Sequence, residues 1–131
     1  MILRPTKREI RVKQIVLDKC NEEPYTELKK NSKYVDELIV LPDESVIVVE
    51  HAEWPTAHEG AQALASFRKL VEMGIKVAAI VVVGKRGFDK RDKGLIAQAL
   101  RSVSSKHNIP VILKRTGQTL SVKSIKFTIV N

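Results

Sequence analysis

The chain has 131 residues, of which 44% are hydrophobic and 29% charged, and its formal net charge is +8. This length and composition predict a single domain, residues 1–131, with one core, and they exclude a disordered tail or a repeat array. The longest apolar run, Val77–Val83, is far shorter than the roughly 20 residues of a membrane span, and residues 1–20 lack a signal-peptide segment, so we expect a cytoplasmic protein.

Thr6 and Glu9 have the spacing of a capping box, in which each side chain satisfies a free backbone N–H group at the start of a helix. They predict a helix from about residue 7 to residue 21. The stretch from Glu9 to Val16 also fits the alternation of a strand. Both interpretations stay open, and we prefer the helix.

Two β-branched, apolar stretches, Tyr34–Leu41 and Val46–Val49, flank a turn-forming Pro-Asp-Glu-Ser segment. They predict a β-hairpin. A second capping-box pair, Thr56 and Glu59, then predicts a helix that ends at Gly74.

The near-continuous apolar run Val77–Val83 predicts a central strand with parallel neighbours, covered on both faces. A loop rich in Gly, Lys and Arg leads to a predicted helix from about residue 91 to residue 107. Ile109–Leu113 and Leu120–Val130 predict the closing strands. The order α-β-β-α-β-α-β-β corresponds to an α/β fold with a mixed β-sheet flanked by helices.

Two carboxylates fall on the predicted hairpin, Asp36 on its first strand and Glu50 at the end of its second. Adjacent strands can bring such side chains together, and carboxylate oxygens are ligands that Mg²⁺ prefers. A bound ion would activate water for attack on a phosphate. We therefore predict a Mg²⁺ or Mn²⁺ site at Asp36 and Glu50, with solvated residues at a sheet edge as the alternative.

A helix with Glu9, a strand with Asp36, a second strand with Glu50, and then a helix and a buried strand together resemble the PD-(D/E)XK nuclease superfamily. The layout is most similar to that of the archaeal Holliday-junction resolvases, over about residues 6 to 84. The resemblance implies a restriction-endonuclease-like fold, a homodimer, and a Mg²⁺-dependent endonuclease that acts on structured DNA. By position, Asp36 is similar to the motif aspartate, Glu50 to the first residue of the E-x-K element, and Glu9 to the helical carboxylate of the resolvases.

The chain departs from this family at Ala52, where the motif has a lysine that orients the attacking water and offsets charge on the phosphate. Some relatives supply the amine from the following helix, where this chain has Lys69. The resemblance therefore implies Asp36, Glu50 and Lys69 as the catalytic residues. The alternative is a catalytically inactive DNA-binding protein on the same fold.

Basic residues are concentrated towards the C-terminal end, since residues 84–126 hold eleven Lys and Arg against two Asp. Such a surface attracts polyanions, so we expect duplex or branched DNA to bind. The backbone N–H groups and the cations of the loop from Gly84 to Gly94, which follows a strand and precedes a helix, would contact phosphates. The predicted nucleic-acid-binding residues are Lys85, Arg86, Lys90, Arg91 and Lys93.

Few aromatic side chains are available to stack on bases. Phe88 is the aromatic residue inside the basic loop, and we expect Trp54 to be a hydrophobic plug at the start of a helix. An aromatic platform for single strands is therefore not predicted. A basic module that contacts an acidic protein is the remaining alternative to nucleic-acid binding.

Overall fold

The computed structural model describes residues 2–30 and 33–131, and within them the chain forms strands, α-helices and short 3₁₀ helices. The strands are β1 (Leu3–Pro5), β2 (Lys13–Val16), β3 (Glu37–Val40), β4 (Val46–Ala52), β5 (Val77–Gly84), β6 (Val111–Arg115), β7 (Thr119–Val122) and β8 (Ile125–Ile129). The α-helices are α1 (Ala57–Glu72), α2 (Lys90–Ala99) and α3 (Arg101–Lys106). The 3₁₀ helices are Leu17–Lys19 and Tyr25–Lys30.

The strands form two sheets, so the chain is a mixed α/β protein. A five-stranded sheet has the order β2-β3-β4-β5-β6, and a three-stranded sheet has the order β1-β8-β7. In the larger sheet, β2, β3 and β4 are antiparallel neighbours, whereas β5 runs parallel to both β4 and β6. The predicted hairpin and the predicted central strand are therefore confirmed.

The larger sheet is the middle layer of the molecule. Side chains alternate along its strands, so each of its two faces contributes to a different apolar cluster. Val48 of β4 joins an apolar cluster with Phe67 of α1. Its neighbour Val49 points to the other face, where it belongs to a cluster with Phe127 of β8. All residues of β5 are buried, as expected for a central strand covered on both faces.

The predicted helices cover one face of this mixed sheet, and the small sheet covers the other. The stretch predicted as one closing strand, Leu120–Val130, contains the two strands β7 and β8. Lys123 and Ser124 lie between them with φ of 50° and 68°. Positive φ at two consecutive residues is typical of a tight hairpin turn, which here reverses the chain and builds a separate antiparallel sheet.

The predicted helix from about residue 7 to residue 21 is also wrong. These residues form a turn, strand β2 and a 3₁₀ helix. The backbone N–H of Thr6 donates to the carbonyl oxygen of Lys126 at 2.9 Å, so the first capping box does not form. Pairing with β3 supplies the backbone hydrogen bonds of β2, and Ile15 is its buried side chain. The strand alternative was the better interpretation.

Helix α1 begins and ends as predicted. The Thr56 hydroxyl accepts a hydrogen bond from the His58 N–H at 3.2 Å, and the Glu59 carboxylate accepts one from the Thr56 N–H at 2.6 Å. Gly74 follows the helix with a φ of 78°, a left-handed conformation that favours glycine. The second capping box is confirmed.

The predicted helix from about residue 91 to residue 107 is divided into α2 and α3. The helical conformation is interrupted at Leu100, where φ is −102° and ψ is 7°. Both helices pack on the same face as α1, through Ile96 and Val103. Across the described residues, no helix is long and apolar enough to cross a membrane.

Candidate functional site

Asp36 and Glu50 lie opposite each other at one end of the β3–β4 ladder. Leu38 pairs with Val48 and Glu37 with Val49. The next step of this register places Asp36 across from Glu50. Leu38 and Val48 both face the helical layer, so the side chains of Asp36 and Glu50, two positions along each strand, face it too. The structure thus brings together the two acids that the sequence singled out.

Glu50 is a buried carboxyl group that is only partly satisfied. It is 2% exposed, and its Oε2 atom has no hydrogen-bond partner among the described residues. Burial, a hydrogen bond to the Asp36 side chain and the negative charges of Asp36 and Glu59 raise the pKa of Glu50 to about 10. The carboxyl group is therefore protonated at neutral pH. A cation here would reverse this, because it would stabilise both carboxylates in their charged forms.

Asp36 is held in place by the strand that carries Glu50. Its Oδ2 atom accepts a hydrogen bond from the backbone N–H of His51 at 2.9 Å and lies 3.7 Å from the Nε2 atom of the His51 ring. The Asp36 side chain is partly exposed. The pair thus combines one buried carboxyl group with one that a ligand can reach.

A cavity of about 250 Å³ opens beside Asp36, and it contains residues that the sequence interpretation missed. Its lining consists of Asp18, Tyr34, Val35, Asp36 and Gln62. Asp18 accepts a hydrogen bond from the Tyr34 hydroxyl at 2.8 Å. Asp18 follows β2, which runs antiparallel to β3, so it reaches the edge at which Asp36 lies. An acidic residue just beyond the end of a strand is a recognisable signal of a ligand site. The sequence instead predicts a helix over residues 7–21, and this hides the signal at Asp18.

Glu9, the proposed counterpart of a helical carboxylate, lies in an exposed turn before β2. The start of β2, Lys13, pairs with Val40, whereas its end, Val16, pairs with Glu37. Glu9 therefore precedes the end of the ladder that is remote from Asp36. The structure does not place it with the acid pair.

Lys69 is likewise not placed at the acid pair. Its Nζ atom lies 3.6 Å from a carboxylate oxygen of Glu72. The charged groups that shift the pKa of Glu50 are Asp36 and Glu59. Lys69 is in the last turn of α1, about 10 Å along the helix axis from the position of Gln62 at a rise of about 1.5 Å per residue. Its position near the end of α1 explains the separation.

The basic loop folds back onto the end of strand β4. The N–H of Lys85 donates to the Ala52 carbonyl oxygen at 2.9 Å, and the N–H of Arg86 donates to the Glu53 carbonyl oxygen at 3.0 Å. A Cβ atom on Gly84 would lie 2.2 Å from the carbonyl oxygen of Gly87, so this turn requires glycine. The loop and the acid pair thus lie at the same edge of the sheet, where ligands of parallel α/β sheets commonly bind.

A groove of about 580 Å³ runs along this edge. It is lined by Trp54, Arg86, Gly87, Phe88, Lys93, Leu113, Lys114, Arg115 and Gln118. Two of the predicted cations, Arg86 and Lys93, belong to it, whereas Lys85, Lys90 and Arg91 are outside its lining. Lys114 and Arg115 were missed because they follow the loop by some twenty residues, although β6 brings them to the same edge.

The sequence predicts that backbone N–H groups of this loop contact a phosphate, but at the start of α2 these groups already have a partner. The Asp89 carboxylate accepts hydrogen bonds from the N–H groups of Arg91 at 3.0 Å and Asp92 at 3.3 Å. Asp89 therefore occupies the place that an anion would take at this helix start.

Trp54 is not the buried plug that the sequence suggested. Its side chain is 53% exposed, and the buried residue at this turn is Pro55. The indole lies instead on the surface of the groove.

The donor set at the acid pair fits a hard divalent cation. In residues 2–30 and 33–131, no three His, Cys, Asp or Glu side chains form a group that could hold a metal ion. A cation would therefore have two protein carboxylates, from Asp36 and Glu50, and water for its other ligands. Mg²⁺ retains several waters in such sites. The Oε2 atom of Glu50, which has no hydrogen-bond partner among the described residues, would gain a partner in such an ion.

Comparisons of the chain with protein-family models, curated proteins and solved structures give no significant match. The relation to the PD-(D/E)XK superfamily therefore stays a prediction that rests on the order of elements and on the acid pair.

Proposed function

We propose that the chain is a restriction-endonuclease-like protein that binds DNA and cleaves it with Mg²⁺ or Mn²⁺ held by Asp36 and Glu50. The observation that carries this proposal is the acid pair itself. Glu50 is buried beside a second carboxyl group with one oxygen unpartnered. A basic groove lies at the same edge of the sheet.

The succession of elements supports the proposal. Asp36 precedes β3, Glu50 lies on β4, and α1 then leads to the buried strand β5, parallel to β4. This is the order that the resemblance implies for residues after the first helix. The N-terminal helix is the part of that layout which is absent, since β2 occupies its place in the described chain.

The chemistry divides between the ion and the protein. A divalent ion, when bound, would supply an activated water and positive charge opposite the phosphate. Asp36 and Glu50 would hold the ion, and the His51 N–H orients the Asp36 carboxylate. Glu50 must release its proton for this role, which a cation favours.

A second candidate function, DNA binding without cleavage, is favoured by the missing lysine. Ala52 cannot orient a water molecule, and the Lys69 amine lies by Glu72. The nitrogen base that lies close to Asp36 is His51, whose ring Nε2 atom is 3.7 Å from Oδ2. Cleavage activity therefore decides between the two functions.

The test is incubation of labelled linear duplex, single-stranded and four-way-junction DNA with Mn²⁺ or with EDTA. The wild-type chain is compared with Glu50→Gln and with Glu72→Gln, the same change at an exposed position. We expect Mn²⁺-dependent cutting by the wild type and by Glu72→Gln, and loss of cutting in Glu50→Gln. Binding without cutting would favour the second function. Absence of binding to every DNA would overturn both.

A further inference from the structure

The groove at the end of β4, β5 and β6 combines an exposed indole with cations. As far as the described residues go, its lining has four Lys or Arg side chains and no carboxylate. Trp54 is 53% exposed. The groove therefore presents part of an aromatic ring to solvent beside four cations.

The indole of Trp54 is supported by the loop beneath it. A Cβ atom on Gly87 would lie 3.3 Å from Cζ3 and 3.7 Å from Cη2 of the ring. The same Cβ would lie 3.6 Å from Cδ of Arg115, so the arginine stem passes close to the ring. Because Gly87 has no side chain, the Trp54 ring can lie close to the backbone of the loop. Part of the Trp54 ring is open to a ligand.

The cations of the groove come from three different elements. Arg86 belongs to the loop, and its Nε atom lies 3.2 Å from the Glu53 carboxylate in a largely exposed ion pair. Lys93 of α2 lies above the Phe88 ring, with Nζ 5.8 Å from the ring centroid. Lys114 and Arg115 extend from β6. An exposed ion pair is weak, so Arg86 can exchange Glu53 for an anionic ligand.

We infer that this groove binds single-stranded nucleic acid, with an unpaired base stacked on Trp54 and the neighbouring phosphates held by Arg86, Lys93, Lys114 and Arg115. The inference rests on the proposed function and names the substrate class of the same edge. Cations alone would hold any polyanion. The indole selects an unpaired base, because the faces of bases inside a duplex are already stacked on one another.

The groove lies at the same edge of the sheet as the acid pair, so one nucleic-acid strand could stack a base on Trp54 and be cleaved at Asp36 and Glu50. The basic loop is hydrogen-bonded to Ala52, the last residue of β4, and to Glu53, two and three residues after Glu50. A nucleic-acid strand that extends from Trp54 across the C-terminal end of β4 would reach the acid pair. Substrates with an unpaired segment, such as a flap or a single-stranded end, fit this arrangement.

Trp54 is the single tryptophan of the chain, so its fluorescence reports on the groove alone. The experiment titrates the protein in EDTA with oligo-dT, with a blunt duplex hairpin, and with inorganic polyphosphate. Binding is followed independently by the fluorescence anisotropy of labelled DNA. We expect strong quenching by oligo-dT and a much smaller change with the duplex or polyphosphate at equal saturation.

The Trp54→Ala variant tests the same contact without fluorescence. We expect about tenfold weaker binding of oligo-dT, in line with the loss of one base–aromatic stack, and little change for the duplex. Trp54→Phe should retain part of the affinity. Val71→Ala, which removes another exposed apolar side chain at a distant position, is the control. Circular dichroism verifies the fold of each variant.

Equal quenching by oligo-dT and polyphosphate, or unchanged oligo-dT affinity in Trp54→Ala, would overturn the inference. In either case, Mn²⁺-dependent cutting in the separate cleavage assay with labelled DNA would leave the proposed function intact. Failure of every nucleic acid to bind would overturn the inference together with the proposed function.

Discussion

Glu50 lies opposite Asp36 at one end of the β3–β4 ladder, and the Oε2 atom of Glu50 has no hydrogen-bond partner in the described part of the chain. Metal-free protein keeps this pair together by retaining a proton on Glu50. The fold therefore contains a carboxyl group whose charged form is disfavoured, and this has consequences for stability and for metal binding.

The stability of the metal-free protein should fall as the pH rises. The pKa of Glu50 is raised from 4.5 to about 10 by burial and by Asp36. At a pH between these two pKa values, Glu50 keeps its proton in the folded state but has released it in the unfolded state. The free energy of unfolding should thus decrease with pH, by at most about 1.4 kcal/mol per pH unit from this group.

Glu50→Gln should weaken this pH dependence and raise the free energy of unfolding in alkaline buffer, because glutamine is neutral at every pH. Urea unfolding in EDTA between about pH 6 and about pH 9 measures both effects. Parallel pH profiles for the wild type and the variant would contradict the assignment of a buried, protonated Glu50.

Mn²⁺ should stabilise the wild-type protein more strongly at higher pH, because the ion binds the deprotonated pair and competes with the proton on Glu50. The increase in melting temperature should be lost in Glu50→Gln and in Asp36→Asn. It should persist in Glu72→Gln, whose side chain is exposed. Calorimetric titration gives the affinity directly. Equal shifts in all four proteins would place the ion elsewhere.

Gly84→Ala should destabilise the protein and displace the basic loop. The added Cβ atom would lie 2.2 Å from the carbonyl oxygen of Gly87, which is backbone and cannot rotate away. We expect a cost of about 1–3 kcal/mol, as for other overpacked sites. Chemical denaturation measures it.

Gly94→Ala is the matched control. Gly94 lies within α2, and an added Cβ atom there meets nothing within 4 Å. Alanine should stabilise that helix by about 0.5–1 kcal/mol. A loss of stability at Gly94, or none at Gly84, would contradict the described backbone of this edge.

The salt dependence of DNA binding should distinguish the cations of the groove from those of the helix start. The double variant Lys114→Gln/Arg115→Gln should bind oligo-dT more weakly. It should also reduce the slope of log affinity against log salt by about 0.7 for each phosphate that the protein no longer neutralises. Lys90→Gln/Arg91→Gln, which removes the same charge outside the groove, should change the slope less. The opposite ranking would place the binding surface on α2.

Local signals explain what the sequence could predict. The hairpin, α1 and β5 were each visible within a short window, through turn residues, the capping box at Thr56 and the apolar run of β5. The Asp36–Glu50 pair followed from the hairpin, because antiparallel pairing brings nearby residues together. These contacts join residues that are close in the chain.

Contacts between distant residues explain what the sequence could not predict. Thr6 and Glu9 have the letters of a capping box, but the N–H of Thr6 bonds to Lys126 instead. Similarly, Arg115 lies near Trp54 only because β5 places β6 and β4 on either side of itself. No short stretch of the sequence contains this information, so the groove could not be predicted without the order of the strands in the sheet.

The pairing of β1 with β8 has a consequence for the order of events during translation. Leu3 pairs with Ile129, so β1 leaves the ribosome more than a hundred residues before the strand with which it pairs. Until β7 and β8 emerge, one face of the main sheet, with Ile47 and Val81, lacks its cover. Late in synthesis the nascent chain thus exposes an apolar surface, which favours aggregation until the small sheet is complete.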